Sequence, residues 1–216
     1  MKTIRVTGTA RLHLRPDVTV VTMTLQGTEP EYSAAINRAS READAVRDVM
    51  ERLAFQREDL KTLSFHVNTE YEGYEESGVW KQRFAGYRFE HVLKASFDSD
   101  HERLGAVLTA LANSAARPML QISYTLKDPE AAKTALLTAA VSDAKEKAQL
   151  LADASGVRLM ALQSVEHTTG NPSFDTLPMH RLDAPIAAKA SIEMNLEPND
   201  ITITDRVTCV WEMEQA

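Results

Sequence analysis

The sequence has a single cysteine, Cys209, so no intrachain disulfide can staple the fold. A chain of 216 residues does not need one, because at this length roughly 70% of the unfolded surface can be buried. No run approaches the ~18 consecutive apolar residues of a transmembrane helix, which argues against a membrane protein. Basic residues are outnumbered, 24 Lys and Arg against 31 Asp and Glu, for a formal net charge of −7. That balance argues against a nucleic-acid surface, which needs clustered cations to displace counterions. Also missing are G-x-G-x-x-G, the P-loop, G-x-S-x-G, H-E-x-x-H and C-x-x-C, and with them the commonest nucleotide, hydrolase, zinc and redox signatures. The opening "MKTIRVTG" lacks the apolar core of a signal peptide, which predicts a cytoplasmic protein unless a leader has been cut away.

What is present is periodic. With 44% hydrophobic and 25% charged residues, the composition is that of an ordinary soluble globule. In "KTIRVTGTARLHLRPDVTVVTMTLQG", Ile4, Val6, Ala10, Leu12 and Leu14 alternate with Arg5, Thr7, Thr9, Arg11 and His13. A period of two marks a half-buried strand, and "RPDV" supplies a turn. The expectation is an antiparallel hairpin of two strands around Pro16-Asp17. Thr28 and Glu31 have the spacing of a capping box for a first helix. Its apolar stripe is Tyr32, Ile36, Ala39, Ala43, Val46, Met50 and Leu53. Stretches 60–71, 86–97, 119–126, 159–167 and 201–213 read as further strands. Ser99 and Glu102 could cap a second helix with Leu104, Val107, Leu108, Leu111 and Ala115 inward.

Asp128-Pro129 starts a third helix that Gly156 should end. Leu137, Val141, Ala144, Ala148 and Leu151 form its predicted stripe, and its many alanines predict a close approach to whatever it packs against. The order ββαββαβαββ is α+β: antiparallel sheet, one face wet, long amphipathic helices on the other. One domain is expected over residues 1–216, with a long proline-containing loop at 168–199 inside it.

Four stretches together resemble the SIMPL-domain family of bacterial proteins, which has an animal kinase-binding relative: "VTGTARLHLRPDVTVVTMTLQG", "GYRFEHVLKASF", "DAKEKAQLLADASGVRL" and "ITITDRVTCVWEM". Two turn positions depart from the family pattern, Phe55 where a glycine is usual and Pro198-Asn199 where Pro-Gly is usual. The resemblance implies oligomerisation, a link to oxidative-stress defence and no established catalytic residues.

The remaining constellations are weak. His66 and His91 alternate with different sets: Leu63, Phe65 and Val67 are the predicted buried face of one strand, and Tyr87, Phe89, His91 and Leu93 that of the next. The two imidazoles therefore point opposite ways and hold no metal. Ser173, Asp175 and His180 sit together in one proline-broken segment, whereas hydrolase triads come from separate rigid elements. Cys209 falls among Val207, Trp211 and Met213 and reads as buried packing. Arg5, Arg11, His13 and Arg15 form a basic row on a wet sheet face.

The strongest signal is "EYEGYEESGVWKQRFAGY" (70–87), a long connection between strands that carries Tyr71, Tyr74, Trp80, Phe84 and Tyr87. Aromatics are enriched at interface cores, so these five are the expected interface residues. The expected function is that of a non-enzymatic, self-associating binding or scaffold protein with no catalytic, cofactor or metal residues. A homo-oligomer is expected, with a protein partner as a further option and no nucleic acid or membrane. The alternative is a small-molecule-binding or hydrolytic protein with its site under the 168–199 loop.

Overall fold

The computed structural model describes residues 2–167, Phe174 and 198–215. Among the described residues seven strands and three α-helices follow the order ββαββαβαββ, and the α+β class holds. The strands are divided between two sheets, each with its own core, and the described residues group into two units.

The first unit takes residues 2–16, 125–167, 174 and 198–215. Its strands are β1 (Lys2–Leu14), β6 (Val157–His167) and β7 (Ile201–Gln215), in the antiparallel order β1-β7-β6. The expected hairpin is therefore not formed. β1 pairs with β7, and after Pro16-Asp17 the chain enters the other sheet. Turn chemistry dictates where a strand breaks, but the partner is chosen by apolar faces nearly 200 residues apart in sequence.

Helix α3 (Pro129–Ala154) covers this sheet. As expected, the Asp128 carboxylate caps it by accepting from Ala131 N, Pro129 opens it, and Gly156 follows it with φ +66°. The buried stripe differs from expectation. Leu136, Ala140, Ala144, Ala148 and Ala152 are buried at strict steps of four, whereas Leu137, Val141 and Leu151 are 37%, 38% and 48% exposed. A row at steps of four runs obliquely around a helix, as in ridge-and-groove packing.

Four of those five residues are alanines, and Gly8 of β1 shows why. A Cβ on Gly8 would lie 2.0 Å from the Ala140 carbonyl oxygen and 2.5 Å from the Ala144 nitrogen. Helix backbone rests on strand backbone here, so only methyl groups fit alongside. Asp143 fixes the same crossing. Its carboxylate accepts from the backbone N–H of Thr9 at 2.7 Å and from Lys147 at 2.7 Å. The Lys147 ammonium first, and then the Thr9 amide, hold its pKa below the usual aspartate value.

The second unit contains β2 (Val18–Glu29), β3 (Lys61–Glu76), β4 (Val79–Asp98) and β5 (Met119–Thr125), in the order β3-β4-β2-β5. β4 pairs antiparallel with both β2 and β3. Helices α1 (Tyr32–Arg52) and α2 (His101–Ala112) bury Ala35, Ala39, Ala43, Val46, Val49 and Met50, and Leu104, Val107, Leu108 and Leu111. These pack with Met23, Leu25, Phe89 and Leu93 from the sheet. Tyr32 and Ile36, both expected in the stripe, are 52% and 37% exposed and lie outside the buried face, which Ala35 and Val49 join instead.

Neither expected N-cap forms. Thr28 belongs to β2 and donates to Glu70, leaving Glu31 at the α1 boundary with no side-chain cap. Asp100, not Ser99, caps α2 by accepting from Glu102 N and Arg103 N. Ser99 Oγ instead lies 3.1 Å from Thr19 Oγ1.

The C-terminus of α1 is a Schellman motif. Phe55 N donates to Met50 O and Ala54 N to Glu51 O. The residue forced into the left-handed region is Ala54, φ +62°, while Phe55 is the buried apolar residue that folds back. Ala54→Gly should therefore raise stability by about 1 kcal/mol, measured as a shift of the denaturant midpoint. An unchanged or lower midpoint would show that the backbone is not strained there.

Candidate interaction surface

The stretch expected to be a connection is strand almost throughout. β3 and β4 continue as a two-stranded ribbon beyond Tyr87, where the pairing of β2 with β4 ends. Ser77 and Gly78 turn the chain with φ of +56° and +78°. Two successive left-handed residues make a type I′ hairpin loop, and Ser-Gly is a fitting pair for it. Glycine, glutamate and serine gave the segment a loop-like composition that hid its alternation.

Register sorts the five aromatics onto two faces. Tyr71 opposes Phe84, Gly73 opposes Gln82, and Glu75 opposes Trp80 on one face. On the other face, Glu72 opposes Arg83, and Tyr74 opposes Lys81. Ala85 is skipped between the pairs Glu70–Gly86 and Tyr71–Phe84, and this bulge brings Phe84 onto the side of Tyr87.

Ring contacts trace the result. Tyr32 meets Tyr87 edge-on at 5.6 Å, Tyr87 meets Phe84 at 5.3 Å, and Phe84 meets Tyr71 at 6.0 Å. Trp80 lies over Gly73, where a Cβ would sit 3.6 Å from the indole. The aromatic row thus continues the helix-covered side of the sheet past Tyr32, where α1 begins. Trp80 remains 75% exposed, Tyr71 57% and Phe84 47%. Tyr74 stands apart, with the Arg83 guanidinium 5.7 Å from its ring centre.

Charge is settled on the opposite face. Lys81 pairs with Glu76, Arg83 with Glu72, and Arg88 with Glu70. Glu70 also accepts from the Thr28 hydroxyl, and that bond more than Arg88 holds its pKa below the usual glutamate value. Exposed pairs of this kind contribute little to stability, so they position the ribbon without anchoring it.

The other sequence candidates separate cleanly. β3 places His66 opposite Glu90 and Phe65 opposite His91, so the two imidazoles lie on opposite faces, as expected. The expected burial of Leu63 and Phe65 fails; they are 57% and 42% exposed. β3 is an edge strand, and a register shift at Leu63 turns that residue out.

His91 is buried, its Nε2 3.1 Å from Thr62 Oγ1 and its ring edge-on to Phe65. Among the described residues its Nδ1 has no partner. Burial, and then the positive charge of Arg47, lower its pKa. The unfolded chain therefore takes up the proton first. Stability should fall as pH drops below the unfolded value of about 6.5. Denaturant midpoints measured between pH 7.5 and pH 5 would check this, and His91→Leu should flatten the decline.

Cys209 is fully buried opposite Val6 and Val165, and burial raises its thiol pKa, in keeping with packing. Arg5, Arg11, His13 and Arg15 are exposed, with Arg5 paired to Glu166 and His13 beside Thr202. Ser173, Asp175 and His180, and all of the 168–199 segment except Phe174 and 198–199, lie outside the described residues. No described helix is long and apolar enough to cross a membrane.

Residues 4–211 match the SIMPL family, described as a protein of unknown function (DUF541). The chain belongs to the SIMPL family. Its relatives include the uncharacterized protein YggE of Edwardsiella ictaluri, 22% identical over 96% of this chain and 85% of the relative. The uncharacterized protein YggE of Escherichia coli K12 is 21% identical over 96% of this chain and 81% of the relative. The SIMPL match thus takes in both sheets and the ribbon, and the family description carries no reaction.

Proposed function

We propose that this SIMPL protein is a non-enzymatic binding or scaffold protein that associates with itself through the aromatic face of the β3–β4 ribbon. The observation that supports this reading is the exposed row Tyr71, Phe84 and Trp80, continuous with the core side of its sheet. Large aromatics lose much unfavourable hydration on burial and little side-chain entropy, which is why they dominate interface energetics. Tyr74, on the charged face, lies outside the proposed contact.

Trp80→Ala should weaken association by about 2 kcal/mol, roughly thirtyfold in dissociation constant, and should shift the scattering mass toward the 24.0 kDa of one chain. Tyr74→Ala serves as the control on the opposite face. An assembly unchanged by Trp80→Ala would remove the aromatic face from the contact.

A further inference from the structure

We infer that the second copy is received on the outer edge of β4, with Trp80–Phe84 of two chains pairing antiparallel about a twofold axis at Gln82. This rests on the self-association proposed above and specifies its geometry.

Residues 79–86 of β4 have β3 on one side, and among the described residues no strand pairs with the other side. An isolated two-stranded ribbon is marginal in water, and a third strand is what stabilises one. The two borders of this ribbon are unlike. Along β3 a like pairing would bring the acids Glu72, Glu75 and Glu76 against those of the second copy, and a register shift at Leu63 breaks the line. Bulges and like charges are the devices that protect sheet edges from strand addition. Val79–Phe84 is exposed, contains no proline, glycine or carboxylate, and is regular up to the bulge at Ala85; its two like charges, Lys81 and Arg83, are each paired with a glutamate of their own chain.

The edge is also self-complementary. With Gln82 opposite Gln82, Trp80 of each chain falls opposite Phe84 of the other on the aromatic face, giving two cross-strand aromatic pairs. On the reverse face Lys81 meets Arg83. Each of these already has its own glutamate, Glu76 and Glu72, so the like charges arrive neutralised. A same-patch contact of this kind closes into a dimer.

A cysteine at residue 82 tests the register. Opposed residues of antiparallel strands have Cα atoms about 4.5–5.5 Å apart, within disulfide reach. The native thiol, Cys209, is buried and does not compete. Under mild oxidation Gln82→Cys should link into a species of twice the chain mass. Lys81→Cys, displaced along the strand and on the other face, should not. An unlinked Gln82→Cys in protein that still scatters as an oligomer would overturn the edge pairing and leave self-association standing. Equal linkage of both variants would mark random collision and overturn the pairing as well. A wild-type mass of one chain at high concentration would overturn both readings.

Discussion

Gly8→Ala is expected to destabilise the protein by about 3 kcal/mol and to lower the melting temperature by about 10 °C. The added methyl carbon would sit 2.0 Å from a helix carbonyl oxygen, 2.5 Å from a helix nitrogen and 2.7 Å from the Ala144 methyl. Two of those three atoms are backbone, so no rotamer change relieves the clash and α3 itself has to move off β1. Pairing Gly8→Ala with Ala144→Gly removes the methyl contact alone and should restore little. Thr7→Ala, one residue away on the exposed face, should stay within about 0.5 kcal/mol of the parent. Thermal or denaturant unfolding of the three variants checks the series. A Gly8→Ala protein as stable as the parent would mean that the helix does not lie that close.

Phe89→Ala is the second large effect, expected to cost about 3–5 kcal/mol in unfolding free energy. Phe89 is completely buried between β2 and β3, and its ring edge fills the space left by Gly27, where a Cβ would lie 2.8 Å from it. The Arg38 guanidinium rests 5.8 Å from the ring centre while pairing with Glu29 and Glu42. Removing the ring opens a cavity and takes away the floor beneath a charge shared by α1 and β2. Phe89→Leu keeps most of the volume and should cost less than half as much. Equal losses for the two variants would point to the cation–ring contact instead of the cavity.

Much of this architecture was legible because its signals are local. The alternation in β1 and β7, the Asp128-Pro129 start of α3 and the glycine that ends it each depend on a few neighbouring residues, and each holds. Partner choice is not local: the turn at Pro16-Asp17 points to β2 as the partner of β1, whereas the strand it pairs with is β7. On α3, two stripes share Ala144 and Ala148. Hydrophobicity favours the one through Leu137, Val141 and Leu151, but the demand of Gly8 for methyl groups selects the one through Ala140 and Ala152.

The aromatics of 70–87 could be picked out, but not their division between faces. That division follows from the hairpin loop at Ser77-Gly78 and from the skipped residue Ala85. The Ser-Gly pair was the available clue to the loop. Nothing in the composition announced the bulge. The left-handed residue after α1 is likewise Ala54, one position before Phe55, because the cap is defined by hydrogen bonds and alanine carries no mark of that geometry.

The salt-bridged carboxylate of Asp143 has a consequence for growth. By occupying an amide of β1, one of the two outer strands of the three-stranded sheet, it withholds from any passing peptide one of the hooks needed to begin docking there. A single side chain thus serves as both rivet and hem: it clamps rod to ribbon and finishes the border against unravelling into larger aggregates.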